Sequence, residues 1–118
     1  MLALVVALAL QAAAAAELPP LSQDQVSWEF VRNAETWQRR YYPKEARKKG
    51  RMGKAVIDCL IEPAGTLTDC RVVSESPPGN GFGEAAVNMR ILFKARSDRQ
   101  GQPVIGRRVV IPINFNLS

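Results

Sequence analysis

Two alternating runs joined by a proline-glycine turn constrain this chain more than any other feature. Ala55, Ile57, Cys59 and Ile61 alternate with Val56, Asp58, Leu60 and Glu62; beyond Pro63-Ala64-Gly65-Thr66, Thr68, Cys70 and Val72 alternate with Asp69, Arg71 and Val73. A period of two marks half-buried strands, so the pair reads as a β-hairpin. Two registers are open to it. A loop over residues 63–66 sets Glu62 opposite Leu67 and therefore Cys59 opposite Cys70. A shorter loop, with Gly65 in a left-handed bulge, pairs 62 with 66 and sets Cys59 opposite Asp69. The first register is expected, because it keeps Asp69 out of the core and puts both thiols on one face.

Whether the thiols bond depends on the compartment, and the start of the chain bears on that. After Met1, residues 2–16 are Leu, Val and Ala with Gln11 the polar exception, closing on Ala14-Ala15-Ala16 before Glu17. Small residues at such a boundary fit a cleaved secretory signal, although no Lys or Arg precedes the apolar run. The alternative is a short inner-membrane anchor facing the periplasm, but a bilayer core asks for about 20 apolar residues. Export to an oxidising periplasm predicts a Cys59–Cys70 disulfide, the alternative being a free buried pair. The expected organisation is a signal at 1–16, a linker and N-terminal helix over 17–36, and one small domain over 37–118.

Further elements follow from local signals. Leu18-Pro19-Pro20 reads as extended linker, and Ser22 as the N-cap of a helix carrying Val26, Phe30, Val31, Ala34 and Trp37. Pro43 opens a short helix reaching about Lys49, with Gly50 suited to its end. Ser76-Pro77-Pro78-Gly79-Asn80-Gly81 is a connecting loop. A second helix is predicted from Gly83 to Lys94, its apolar stripe made by Phe82, Ala85, Ala86, Met89, Leu92 and Phe93. Residues 96–104 read as a polar loop. In the last strand Val109, Ile111, Ile113, Phe115 and Leu117 alternate with Val110, Pro112, Asn114 and Asn116. Pro112 cannot donate to a ladder and so marks an edge strand or a bulge. A right-handed crossover then favours a three-stranded sheet in the order second, first, third, with helices over one face.

Charge and composition exclude several functions. The formal charge is +5, and Lys44, Arg47, Lys48, Lys49, Arg51 and Lys54 concentrate it within residues 44–54. That cluster suits an acidic peptide, an anionic cell-wall polymer or plain solvation; no reading motif accompanies it, so nucleic acid is not expected. With no histidine, no Cys-x-x-Cys and no paired spacing among Glu62, Asp69, Glu75 and Glu84, neither catalysis nor a metal or other cofactor is expected.

The order of these pieces resembles the C-terminal domain of the TonB energy-transducer family. The resemblance runs from about Trp37 to Leu117. It is carried by Tyr42-Pro43 with Ala46, Gly53, Pro63-Ala64-Gly65, Val72-Val73 with Ser74-Glu75-Ser76, Phe82 with Glu84-Ala85-Ala86, Gly101-Gln102-Pro103-Val104, and Val110-Ile111-Pro112-Ile113-Asn114-Phe115. It implies an α+β, two-layer domain in the periplasm that grips the TonB box of outer-membrane receptors by pairing a strand beside its last strand. Energy then passes to receptor opening and the uptake of siderophores or vitamins. The residues expected to meet the peptide are Val109 to Phe115 with Tyr42, Pro43 and Arg47 beside them. Peptidoglycan, or a second copy pairing through the last strand, are the other partners considered. The chain departs from a full transducer by its paired cysteines and by showing neither a long Pro-rich spacer nor a robust anchor, so fold and strand binding carry over more directly than energy transduction.

Overall fold

Gly53 to Ser76 forms the hairpin that the alternation predicts, and the rest of the domain is arranged around it. In a computed structural model, residues 18–30 and 39–117 are described. The elements are β1 (Leu21–Ser22), a 3-10 turn (Gln23–Gln25), β2 (Val26–Phe30), α1 (Lys44–Lys48), β3 (Gly53–Ile61), β4 (Leu67–Ser76), α2 (Phe82–Asn88), a second 3-10 turn (Met89–Leu92), β5 (Phe93–Asp98) and β6 (Arg108–Phe115). The main sheet runs β1-β6-β3-β4, and β2 pairs with β5 separately. The expected order of hairpin and last strand is therefore present as β4-β3-β6. A fourth strand, β1, is added in parallel on the far side of β6.

Alternation decides which face is buried. Ala55, Ile57, Cys59 and Ile61 of β3 and Val109, Ile111, Ile113 and Phe115 of β6 lie in the core with Phe82, Ala85, Ala86, Met89 and Leu92. Gly53 is obligatory here because an added Cβ would lie 2.3 Å from the Phe82 ring and 2.7 Å from the Ser76 carbonyl oxygen. The Glu75 carboxylate accepts the Gly83 N–H at 2.6 Å and so caps the first turn of α2, where backbone donors lack helical partners.

The register of the hairpin corrects the expectation. Near the turn Ile61 pairs with Leu67 and Leu60 with Thr68, and the Glu62 N–H donates to the Thr66 carbonyl at 2.9 Å. That is the shorter loop, with Gly65 at φ +86. The same glycine lets β5 approach: the Ala95 N–H donates to the Gly65 carbonyl at 2.8 Å, and a Cβ on Gly65 would stand 2.2 Å from the Ala95 oxygen. Asp69 then takes φ 47 and the pairing shifts, so that Asp58 meets Arg71. This bulge turns Asp69 away from the core and still brings Cys70 to Cys59, with Cα atoms 4.1 Å apart and a disulfide between them. One extra residue thus restores the expected register beyond the turn, with Asp58 opposite Arg71, and meets both of its aims.

Three other elements differ from expectation. Val26–Phe30 is a strand rather than part of a helix from Ser22, because it pairs antiparallel with β5 from Val26↔Asp98 to Phe30↔Phe93. Val31, Ala34 and Trp37 lie outside the described residues. The second helix ends early: Met89–Leu92 tighten into a 3-10 turn, and Phe93 and Lys94 begin β5, which also takes the first part of the predicted 96–104 loop. The short helix holds as read. Gly50 at φ 65 closes α1, with Arg51 N–H donating to the Ala46 carbonyl at 2.8 Å and Gly50 N–H to Arg47 at 3.1 Å, the Schellman pattern.

Candidate strand-docking edge

β6 pairs with β3 in unbroken register from Leu60↔Arg108 to Gly53↔Phe115. The Ile61 N–H donates to the Arg107 carbonyl at 3.0 Å. Counting by two from that bonded pair, Cys59–Val109, Ile57–Ile111 and Ala55–Ile113 exchange hydrogen bonds, whereas Val56–Pro112 is a non-bonded pair. The proline nitrogen therefore faces away from β3. Pro112 sits in the strand without a bulge because the donor it lacks belongs to the outer edge. On that edge β1 lies beside Val109 and Val110, and no described strand accompanies Ile111 to Ile113.

The predicted site residues separate by role. Val109, Ile111, Ile113 and Phe115 direct their side chains into the core; Val110 and Pro112 are half-buried and Asn114 is exposed on the opposite face. Only their main chain forms the edge. Tyr42 is a core residue, 6 % exposed, edge-on to Phe82 and Phe115 at 5.9 and 5.6 Å between ring centres. Its hydroxyl donates to the Arg51 carbonyl, and burial raises its pKa above 10.0 by penalising the phenolate. Tyr42 also lines, with Arg39, Arg47, Asn116 and Leu117, a cleft of about 100 Å³ at the end of β6. The Arg47 guanidinium donates to the Arg39 carbonyl there at 3.5 Å. Pro43 belongs elsewhere. It caps α1 and borders a second cleft of about 450 Å³ with Lys44, Lys49, Arg51 and Gly79 to Gly81.

A family model described as "Gram-negative bacterial TonB protein C-terminal" matches residues 38–117. This chain belongs to the TonB C-terminal domain family. Among solved structures, it is similar to the Pseudomonas aeruginosa TonB CTD determined by solution NMR. The TM-score is 0.56 at 17% identity, covering 82% of this chain and 93% of that one. That likeness supports the α+β fold. No curated protein matches the chain.

Within this TonB-type domain, sequence reasoning missed the residues that complete the edge. Arg108 is the main one. Its Nε donates to the Asp58 carboxylate at 2.6 Å, Nη1 to the Asp69 carboxylate at 3.1 Å and Nη2 to the Asp69 carbonyl at 2.7 Å. One guanidinium thus bridges β6, β3 and the bulge of β4, with Asp58 itself 9 % exposed. An aspartate inside an apolar alternation was the available signal, since a buried charge requires a partner. Leu21 and Ser22 gave no such signal, and neither did Asn80, which accepts from Arg51 at 2.8 Å across the second cleft. Among the described residues no helix is long and apolar enough to cross a membrane, and no group of three or more His, Cys, Asp or Glu could hold a metal. The reading of residues 1–16 falls outside the described residues.

Proposed function

We propose that this TonB-like module works in the periplasm and receives the TonB box of outer-membrane receptors as an added strand on the outer edge of β6, in support of energy-dependent uptake of siderophores or vitamins. The observation that carries this reading is the position of Pro112 in a non-bonded pair, which leaves a straight edge directed outward while the strand's other edge is held by β3. An edge of this kind binds through main-chain hydrogen bonds. Tyr42 and Arg47 stand at its end, where the basic cleft would attract an acidic residue of the peptide and mainly raise the association rate. The reading is one of binding, not catalysis.

Titration of a synthetic TonB-box peptide into the labelled protein tests this. Amide shifts are expected along Ile111 to Phe115 and not along Val72 to Ser74. Two versions of the peptide, N-methylated at alternate residues, should differ: one loses at least tenfold in affinity and the other binds as the parent does, because ladder pairing uses alternate amides. Equal behaviour of the two versions, or no binding at 1 mM, a limit of about −4 kcal/mol, would reject strand addition.

A second reading is a stand-alone exported protein that binds cell-wall polymer or envelope peptides without transducing energy. What favours it is the cleft bordered by Lys44, Lys49 and Arg51, apart from the strand edge, where three cations outnumber the one carboxylate, Glu45. Recovery of murein fragments rather than receptors from envelope extract, lost on Lys44→Gln with Lys49→Gln, would select it.

A further inference from the structure

The β6 edge is already partly occupied, and by the chain itself. β1 pairs in parallel, Leu21 with Val109 and Ser22 with Val110. Residues of β6 present their N–H groups alternately to β3 and to the outside; from the bonded Ile61–Arg107 pair, Val110 and residue 112 face outward. Residue 112 is proline and has no N–H. Val110 is therefore the outward donor just before a gap, and β1 is what lies against it. Loss of that donor costs an incoming strand a ladder bond that no neighbouring position replaces.

The hold of β1 is narrow. It spans two residues, whereas β2 pairs with β5 through five. Its one buried side chain is Leu21, 8 % exposed. The flanks are tied separately: the Pro19 carbonyl accepts from Arg107 Nη2 at 3.0 Å, and the Asp24 carbonyl from Arg99 Nε at 2.6 Å. The segment can leave the edge by releasing Leu21 and the Pro19 bond while β2 remains in place.

We propose that β1 is a self-strand that covers the Val109–Val110 part of the β6 edge and competes with the partner strand for it. This rests on the strand-addition reading above and adds its regulation: a short partner segment pairs beyond Pro112 with β1 in place, and a longer one must displace it. A binding site open for only a fraction of the time shows an apparent affinity reduced by that fraction. Freeing the edge should therefore tighten long partners alone.

The test compares wild type with Leu21→Ser, which removes the buried anchor, and with Arg107→Gln, which removes the Pro19 tie and leaves the backbone bonds of β6 alone. Hydrogen exchange is read first. The Val110 amide is expected to exchange at least tenfold faster in both variants, with the Ile111 amide, directed at β3, unchanged and serving as the control for folding. Equal protection of Val110 in all three proteins overturns the proposal. Affinities of two TonB-box peptides, five and nine residues long, are then measured. The nine-residue peptide should bind the variants about tenfold more tightly than wild type, the five-residue peptide equally. If both peptides bind all three proteins alike, β1 is no competitor and the proposal fails. If neither peptide binds any of them, the TonB-box reading fails by itself, and a synthetic peptide copying residues 18–25 decides about the edge. Added in millimolar excess, it should restore Val110 protection in Leu21→Ser, and failure to do so overturns the self-strand.

Discussion

The two outer flanks of the β4-β3-β6 sheet are built in opposite ways. β4 meets β3 with two register shifts, takes φ 47 at Asp69 and leaves Val72 and Val73 exposed. Bulges twist a strand and interrupt its row of donors, which is how proteins keep an edge from recruiting strangers. β6 has no bulge against β3; its outer edge is modified only by a proline and a two-residue parallel strand. One flank is thus closed by its own irregularity; the other stays straight, with its donor row interrupted at Pro112 and β1 lying beside Val109 and Val110. Arg108 joins them, since its guanidinium reaches from the first residue of β6 across Asp58 to the carbonyl of Asp69. The bulge that disables one edge is pinned by the residue that begins the other.

Both edges rest on a single inner face, where Met89 is 3 % exposed. Met89→Asp places a charge there and should cost roughly 4 kcal/mol or more, unfolding the sheet from both sides at once, while Asn88→Asp on the exposed side of the same turn should be nearly silent. Thermal melts of the two variants give the comparison. Equal melting temperatures would mean that the edges do not share a core.

The disulfide bears on the closed edge in particular. Replacing Cys59 and Cys70 together by Ala should remove roughly 2–4 kcal/mol in denaturant unfolding, because the link closes a loop of sequence separation 11 across the bulge. Amides around Asp69 to Val72 should lose protection while those of β6 that bond to β3 keep theirs. Intact mass after alkylation, with and without reduction, establishes the bond itself. Two thiols alkylated in oxidised native protein would remove the distinction drawn between the edges.

The smallest effect belongs to the end of the open edge. Tyr42→Phe deletes one hydroxyl donated to Arg51 and should cost about 1 kcal/mol at neutral pH. Its pH dependence carries a sign. Burial raises the folded pKa above 10.0, so folded and unfolded tyrosine are both neutral below that value and the contribution is fully present. As pH rises through 10.0 toward the folded pKa, the unfolded state releases its proton first and stability falls. The wild type should therefore lose stability over this window relative to Tyr42→Phe, measured by denaturant midpoints at stepped pH. Parallel curves would place the hydroxyl in solvent.

What could be read from residues alone was whatever depends on near neighbours. The alternation of Ala55 to Ile61 and of Val109 to Phe115, the helix opened by Pro43 and closed by Gly50, and a Pro112 whose nitrogen turns away from its β3 partner follow from period, φ preference and a missing N–H. Val26 to Phe30 was less determinate. Val26 and Phe30 stand four apart, a helical spacing, yet Val26, Trp28 and Phe30 also alternate. Pairing with β5, whose residues lie more than sixty positions away, settled the choice for a strand. The Asp69 bulge had the same origin. Locally, the register of the longer loop already joined the cysteines and excluded the aspartate, so no nearby signal asked for a bulge. The shorter loop and its bulge are held from afar: the Ala95 N–H donates to the Gly65 carbonyl, and Arg108 supplies a partner for Asp58, Asp69 and a bulged carbonyl together. Local propensity is a small energy summed over a few residues, so long-range pairing overrides it wherever two local readings lie close. It was the tertiary structure, accordingly, that made Val26 to Phe30 a strand and placed the bulge at Asp69.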